Sequence, residues 1–175
     1  THRFTDVLII GGGLAGLRAA NAVESKNNVI LVTKDQLEQS NSHFAQGGIA
    51  SVTHPDDRFE NHVEDTLPAG GKLCNPDIVE MVIREAPARI AELIQWGTQF
   101  DKDAGDLQLG REGGHSHHRI LHALGDATGK EVIRAMIQWT EQQQNIHISQ
   151  NTFTIDLLTH DGQCQGALIL EQNEM

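Results

Sequence analysis

The sequence predicts an α/β fold, in which helices cover a parallel sheet and a small antiparallel β-layer is added. Two observations predict it. Apolar, β-favouring segments alternate with helical patterns through most of the chain, and two strand-like segments joined by Asp161-Gly162 follow near its end. The length of 175 residues is ordinary for one domain, and a hydrophobic share of 38% supports a continuous core rather than disorder.

The first predicted element is a strand over Val7–Ile10, four β-favouring residues that we expect to be buried on both faces. A helix is predicted next, over residues 14–25, and a second strand over Val29–Val32. In between, three glycines stand at G-x-G-x-x-G spacing: Gly11, Gly13 and Gly16. In this motif the glycines permit a tight turn, close approach to a pyrophosphate, and packing of helix on strand. The context favours a dinucleotide-binding βαβ unit over a plain structural turn.

The second strand ends at Thr33 and Lys34, where many dinucleotide-binding folds place an acid that holds the ribose hydroxyls. Here the acid, Asp35, comes later. Two interpretations of Thr33 and Lys34 stay open. They form only a polar end of the strand, or one of them contacts adenosine or a phosphate of the ligand.

Residues 40–50 are rich in small and polar side chains. Gly47-Gly48 would let a flat ligand approach the backbone, and Asn41, Ser42 and Gln46 offer hydrogen-bond donors and acceptors. The alternative is a plain surface loop.

Helices are predicted over the next part of the chain. A short one covers residues 58–65, and a longer one is capped by Asn75 and opened by Pro76. Pro87 predicts a break or kink, after which a second helix ends at Trp96 and Gly97. We interpret these last two helices as scaffold.

The final predicted elements are a helix, a strand and a hairpin. Thr128 and Glu131 form a capping box for a helix that runs to Gln143. Its buried stripe is Val132, Ile133, Met136, Ile137 and Thr140. A strand at Ile146–Ser149 and another over residues 153–158 follow, and residues 166–170 pair back as a hairpin.

Residues 110–129 contain the acid Glu112 among basic side chains, Arg111, Arg119, His115, His117, His118 and His122. One interpretation is a metal site, but no acid or cysteine stands at a standard ligand spacing. The other is an anion-handling segment, in which the arginines and histidines favour carboxylate or phosphate. Glu112 would then hold those side chains in place or meet a substrate cation.

Composition narrows the class of partner. With 13 Lys and Arg against 24 Asp and Glu, the net charge of -11 argues against a nucleic-acid or anionic membrane surface. No apolar stretch approaches the ~20 residues that span a bilayer. Cys74 and Cys164 indicate buried free thiols in a reducing cytoplasm, where we expect the protein to be located.

Three motifs together resemble those of bacterial L-aspartate oxidases, which belong with the flavoprotein subunits of succinate dehydrogenase and fumarate reductase. They are the glycine turn, the loop Ala45-Gln-Gly-Gly48, and Arg111-Glu-Gly-Gly-His-Ser-His-His-Arg-Ile-Leu-His122 with Asp126-Ala-Thr-Gly129. The resemblance implies an FAD/NAD(P)-binding, Rossmann-like fold. Residues 1–175 would be the N-terminal portion of the FAD-binding domain, without the capping domain and the C-terminal helical region.

The resemblance implies FAD as the cofactor. Its pyrophosphate would be held by Gly11, Gly12, Gly13, Leu14, Ala15 and Gly16. Lys34 stands where the family contacts the adenosine half. The ribityl chain and flavin would be wrapped by Asn41, Ser42, His43, Phe44, Ala45, Gln46, Gly47 and Gly48. The respiratory relatives carry a flavin-linked histidine where this chain has Asn41, so the expected FAD is non-covalent.

The implied reaction is oxidation of L-aspartate to iminoaspartate, with oxygen or fumarate as electron acceptor. Glu112 aligns with a glutamate that orients L-aspartate in the family, whereas the substrate-clamping histidine and arginines would lie outside this chain. The product would feed quinolinate and NAD biosynthesis, with a functional link to quinolinate synthase. The alternatives are a flavoprotein of the fumarate reductase or succinate dehydrogenase type, and a non-catalytic dinucleotide-binding fragment.

Overall fold

A computed structural model describes residues 1–171 and divides the chain into two compact units. Unit 1 comprises Thr1–Phe44 and the residues from Ile133 onward, and unit 2 comprises Ala45–Val132. Within residues 1–171, no helix is long and apolar enough to cross a membrane.

The predicted strand–helix–strand order at the start of the chain and the helix–strand–hairpin order near its end are confirmed, but five short strands between residues 49 and 121 were not predicted. The strands are β1 (Val7–Ile10), β2 (Val29–Val32), β3 (Ile49–Ala50), β4 (Lys102–Asp103), β5 (Asp106–Leu107), β6 (Leu109–Gly110), β7 (Ile120–Leu121), β8 (Ile146–Ser149), β9 (Thr152–His160) and β10 (Gln163–Glu171). The helices are α1 (Leu14–Ala20), α2 (Phe59–Ala69), α3 (Pro76–Gln95) and α4 (Thr128–Glu141), with a 3-10 turn at Gly71–Leu73. The predicted α/β class is confirmed.

Unit 1 contains a parallel sheet in the order β1-β2-β8. The central strand β2 is almost wholly buried, as its run of aliphatic residues predicts. In β1, by contrast, Val7–Ile9 are half-buried and Ile10 is 49% exposed. The expected burial of β1 on both faces is therefore wrong, because within the described sheet this strand has a neighbour on one side only.

Helix α1 is shorter than predicted. It ends at Ala20, where the Asn21 side-chain amide donates to the Leu17 carbonyl oxygen at 2.9 Å and to the Thr140 hydroxyl at 2.7 Å. A short amide side chain that bonds nearby backbone competes with helix continuation. The buried residues Leu17 and Ala20 hold the short helix in unit 1.

The antiparallel layer is the hairpin β9–β10, confirmed and longer than predicted. Asp161 and Gly162 at its tip have φ values of +49° and +75°, the left-handed pair that a type I′ turn requires. Cys164 on β10 is exposed and Cys74 is half-buried, so the expectation of two buried thiols is wrong, although both are free. Cys164 is exposed because β10 is an edge strand and this part of it does not pack against a core.

Unit 2 is built on the small antiparallel sheet β3-β7-β6 and the pair β4–β5. Its core cluster consists of Ile90, Phe100, Leu121 and Ala123, with Ile49, Leu93, Leu107 and Leu109 packed against it. Because β7 supplies Leu121 to this core, the segment that precedes β7 is held against the sheet.

Helix α2 forms where a short helix is predicted and extends to Ala69. Helix α3 begins as predicted, with the Asn75 side chain accepting from two backbone amides, but it runs unbroken through Pro87. The predicted division into two helices is therefore wrong. Proline removes one backbone hydrogen bond, and burial of Ile83 and Ile90 on either side holds the helix together. Gly97 follows its end as predicted, and its amide donates to Ile94.

Helix α4 begins at Thr128 as predicted and ends at Glu141, slightly earlier than expected. The predicted buried stripe is confirmed, since none of its five side chains is more than 7% exposed.

Candidate functional site

The glycine turn connects β1 to α1 within unit 1. Gly11 has φ +114°, a conformation that side chains rarely adopt, and its amide donates to the Val32 carbonyl oxygen at 2.8 Å. Gly13 stands at the N-cap of α1, and its carbonyl oxygen accepts from the Leu17 amide at 3.0 Å. The predicted strand–turn–helix context of the motif is confirmed.

The other two glycines are required by close packing. A β-carbon at Gly16 would collide with the Gly11 carbonyl oxygen, which belongs to the backbone and cannot swing away. A β-carbon at Gly12 would lie 2.5 Å from Leu37 Cδ2 and 3.0 Å from Thr33 Cβ. The third glycine of the motif thus brings α1 against the end of β1, as the spacing predicts.

The turn fits a pyrophosphate. A β-carbon built on Gly11 meets no atom within 4 Å, so the backbone faces open space there. Leu14 and Ala15, in the first turn of α1, are exposed, and first-turn amides lack intrahelical acceptors. One of them is already engaged, because the Leu14 amide donates to the Ser42 hydroxyl at 3.1 Å. This bond ties the residue 41–44 turn to the glycine turn.

The end of β2 separates the two candidates for an adenosine contact. Thr33 is tied into unit 1, since its amide donates to Ser149 at 3.0 Å and its carbonyl oxygen accepts from Thr152 at 2.8 Å. Lys34 is exposed. Its ammonium is therefore the more accessible group for an anionic ligand.

Residues 41–44 form a turn in unit 1, in which the amides of His43 and Phe44 donate to the Ser40 carbonyl oxygen. The rings of His43 and Phe44 meet edge to face at 5.2 Å, and Phe44 is 63% exposed. Among residues 1–171, the buried Nδ1 of His43 has no hydrogen-bond partner. Asn41 is exposed. An exposed ring and an unsatisfied ring nitrogen are features that a bound ligand would cover or complete.

The loop from Ala45 to Gly48 is clamped by the start of α4 in unit 2. The Gly129 amide donates to the Ala45 carbonyl oxygen at 3.1 Å, and the Thr128 hydroxyl donates to the Gly47 carbonyl oxygen at 2.5 Å. The same hydroxyl accepts from the Ala123 amide at 3.1 Å. Gln46 is exposed between these anchors. The Thr128 hydroxyl thus joins the start of α4 to Gly47 and Ala123, and the capping box of Thr128 with Glu131 stays a prediction.

Gly48 lies directly against β7. A β-carbon there would collide with the Ile120 side chain and approach His122 Nε2 to 2.9 Å. A β-carbon on Gly110 would come within 3.0 Å of His122 Cε1. The His122 ring therefore has a glycine on each of two sides, and Gly48 cannot carry a side chain without displacing it.

Glu112 is joined to the same ring. Its Oε1 lies 3.0 Å from His122 Nε2, with side-chain exposures of 53% for Glu112 and 25% for His122. Glu112 thus holds a basic side chain in place, which was one of the two roles open to it. Sequence reasoning missed that His122 links Glu112 to Gly48. The available signal was the position of His122 directly after the strand-like residues Ile120 and Leu121, in the same segment as Glu112 and its neighbouring glycines.

Arg119 has a different role from the one expected. Its side chain is fully buried, with Nε and Nη2 donating to the two carboxylate oxygens of Asp57 at 2.7 and 2.8 Å. Nη1 donates to Asp65 at 2.5 Å. The expectation that Arg119 handles an anionic ligand is wrong, because two carboxylates inside unit 2 already neutralise it. Arg111 is exposed and stays a candidate for that role.

Two histidines belong to the surroundings of Arg119. His115 Nδ1 lies 3.3 Å from Arg119 Nη1, and His117 Nδ1 lies 2.8 Å from the Ser116 hydroxyl. Ser116 in turn donates to Asp65 through its amide and its hydroxyl, both at 2.8 Å. We call Arg119, Asp57, Asp65, Ser116, His115 and His117 the Arg119 network. Within the described range, no three His, Cys, Asp or Glu side chains are placed to hold a metal ion.

The surroundings of Arg119 shift the pKa values of Asp65 and of the neighbouring His62. Burial opposes ionisation of Asp65, but hydrogen bonds from Ser116 and Arg119 lower its pKa to about 2. Burial, assisted by the charges of Arg119 and His115, lowers the pKa of His62 to about 4. His62 is therefore neutral at neutral pH.

The sequence matches the FAD binding domain family over residues 6–175. L-aspartate oxidase 2-a, chloroplastic, of Nicotiana tabacum is 46% identical over 158 residues, 90% of this chain and 24% of the relative. L-aspartate oxidase of Pseudomonas aeruginosa is 36% identical over 185 residues, 98% of this chain and 34% of the relative. The resemblance found in the motifs is confirmed. The chain spans about a quarter to a third of the length of these relatives.

Solved structures agree on the fold. E. coli quinol fumarate reductase superposes with a TM-score of 0.90 at 30% identity, over 95% of this chain and 29% of that one. The Mycobacterium smegmatis Sdh1 complex superposes with a TM-score of 0.84 at 32% identity, over 93% of this chain and 30% of that one.

Proposed function

Since the chain belongs to the FAD binding domain family and FAD is its cofactor, we propose that it is part of an enzyme that oxidises L-aspartate to iminoaspartate. FAD supplies the redox chemistry when bound, and the protein supplies binding and orientation. The observation that carries the choice of substrate is the carboxylate of Glu112, held by His122 beside Gly48. L-aspartate differs from succinate by an ammonium group, which a fixed carboxylate recognises.

The glycine turn of unit 1 is proposed to hold the pyrophosphate. Gly11 and Gly13 allow the backbone to approach it. In the first helical turn Ala15 presents an amide without an intrahelical acceptor, whereas the neighbouring Leu14 amide is engaged by Ser42. The open space at Gly11 supports this assignment, and the close packing at Gly12 and Gly16 holds the turn in place. Lys34 is proposed to contact the adenosine half, which its exposure at the end of β2 permits.

Two groups of residues are proposed to contact the ribityl chain and flavin, as the family resemblance implies. The first is Asn41, Ser42, His43 and Phe44, and the second is Ala45, Gln46, Gly47 and Gly48. The exposed Phe44 ring and the unsatisfied His43 Nδ1 support the first group. The glycine pair supports the second. We further propose that no covalent flavin bond forms. Asn41, which lacks a nucleophilic ring nitrogen, stands at the position of the flavin-linked histidine, and His43 lies two positions away.

Glu112 is proposed to receive the ammonium of L-aspartate. Its Oε1 is engaged by His122, which leaves Oε2 for a second donor. The exposed Glu112 side chain is accessible to a small molecule. Oxygen or fumarate is proposed as the electron acceptor, and iminoaspartate as a precursor for quinolinate synthase in NAD biosynthesis. The family resemblance supports these last assignments. The two free cysteines support a reducing compartment, for which we propose the cytoplasm.

The test uses the full-length holoenzyme without oxygen. L-aspartate should bleach the visible flavin absorbance, whereas succinate should leave it unchanged; oxygen or fumarate should then restore the colour. The structural likeness to fumarate reductase makes a dicarboxylate enzyme the second candidate. Bleaching by succinate but not by aspartate would overturn the proposal in favour of that candidate.

A further inference from the structure

The His122 ring is packed against two glycines, Gly48 and Gly110. β-carbons built on Gly48 and Gly110 would approach its ring to 2.9 and 3.0 Å. Its carbonyl oxygen accepts from the Asp101 amide at 2.8 Å, which fixes the backbone. The ring therefore has one well-defined position in unit 2.

Glu112, in contrast, has little of its own to hold it. It lies in an exposed turn followed by Gly113 and Gly114, the latter with φ +86°. Within the described part of the chain, its carboxylate has one hydrogen-bond partner, His122 Nε2 at 3.0 Å. A glutamate on such a turn would sample many rotamers without that partner.

We propose that His122 is the positioning residue of Glu112, and that it determines discrimination between aminated and plain dicarboxylates. The inference rests on the proposed function and deepens it. His122 Nε2–H donates to Oε1 and holds the side chain in one rotamer. Oε2 is then presented to the ligand ammonium before binding. Ordering a long side chain in advance lowers the entropic cost of association. Affinity therefore increases only for ligands whose ammonium donates to Oε2.

The test measures binding to the oxidised full-length holoenzyme by calorimetry. One probe is α-methyl-L-aspartate, which carries the ammonium but has no Cα hydrogen to lose. The other is 2,2-dimethylsuccinate, which has a methyl group in place of the ammonium. His122→Phe should weaken α-methyl-L-aspartate binding about tenfold and change 2,2-dimethylsuccinate binding less than about twofold.

Two more variants separate the hydrogen bond from the shape of the ring. His122→Gln keeps a donor near the position of Nε2 and should restore most of the affinity. His122→Asn is smaller than histidine and too short to reach Glu112, so it should behave like the phenylalanine variant even if that ring proves too large for the site. His160→Phe, at an exposed histidine of the β9–β10 hairpin and outside residues 110–129, is the control and should leave both affinities unchanged.

A double-mutant cycle with Glu112→Gln shows whether His122 acts through Glu112. In the Glu112→Gln background, His122→Phe should have no further effect on either probe. An equal loss for both probes, or the same loss in both backgrounds, would overturn the positioning role. If Glu112→Gln itself fails to distinguish the probes, the proposed substrate recognition fails instead, so the two failures are distinguishable.

Discussion

Arg119 and Asp57 form a bidentate ion pair in which the guanidinium is fully buried and both N···O distances are below 3 Å. The partners lie 62 residues apart in the sequence. Asp65 accepts from the remaining guanidinium nitrogen. The charge of Arg119 is therefore neutralised by carboxylates of unit 2 and is not available to a ligand.

Removing Arg119 should destabilise the protein strongly. Arg119→Met leaves the Asp57 carboxylate buried without its partner, and breaking one side of a buried pair costs about 3 to 5 kcal/mol. Urea unfolding of the full-length protein measures this loss. Arg111→Met, at an exposed arginine, should change the free energy of unfolding by less than about 0.5 kcal/mol. A similarly small change for Arg119→Met would contradict the structural role.

Acid should weaken the protein through His62. The side chain is buried and its pKa is lowered to about 4, whereas the unfolded chain binds the proton near pH 6.5. Between these values the unfolded state holds more protons, so the free energy of unfolding falls as the pH drops from 6.5 to 4. The loss should reach about 3 kcal/mol.

The pH dependence of denaturant midpoints measures this loss. His62→Gln should flatten the profile between pH 6.5 and 4, while the exposed His147→Gln should leave its slope unchanged. If the slope survives in His62→Gln, a different group is responsible.

Gly16→Ala should impair flavin retention. The added methyl collides with the Gly11 carbonyl oxygen, so α1 must move away from β1, at a cost of about 1 to 3 kcal/mol. The flavin-to-protein absorbance ratio after gel filtration measures the effect. Gly113→Ala is a matched control, because its β-carbon would meet no atom within 4 Å. Full retention of flavin by Gly16→Ala would argue against close packing at the turn.

Glu112→Gln should raise the KM for L-aspartate about tenfold or more, because it removes the charge that pairs with the ammonium. Inhibition by succinate, which lacks the ammonium, should change far less. Steady-state kinetics with succinate as competitor measures both effects, and Glu64→Gln, at an exposed acid, is the control. Equal effects on aspartate and succinate would remove Glu112 from ammonium recognition.

The features that could be predicted from the sequence depend on interactions between residues close together in the chain. The β1–turn–α1–β2 segment, the Asn75 cap and the hairpin turn at Asp161-Gly162 each depend on residues that are neighbours in the chain. Their propensities and spacings therefore specify them directly. The buried stripe of α4 follows in the same way from a helical period.

The features that could not be predicted from the sequence depend on packing between residues that are distant in the chain. The Pro87 rule failed because burial on both sides of the proline outweighs one missing hydrogen bond. Arg119 was interpreted as an anion binder because its charge was visible and its partner Asp57 was not. The contact of His122 with Gly48 likewise depends on the pairing of β3 with β7, since Gly48 precedes one strand and His122 follows the other. The spacing of these residues in the sequence does not predict it.

By itself, the sequence determined the α/β class, the glycine turn for a dinucleotide and the place of Glu112 in a basic segment. Only the tertiary structure decided which charges are available to a ligand, since that depends on burial and on partners far along the chain. Arg119 is neutralised inside unit 2, whereas Glu112 stays accessible and is held by His122. The physical reason is that local propensity acts over a few residues, while desolvation and ion pairing are set by whichever residues the fold brings together.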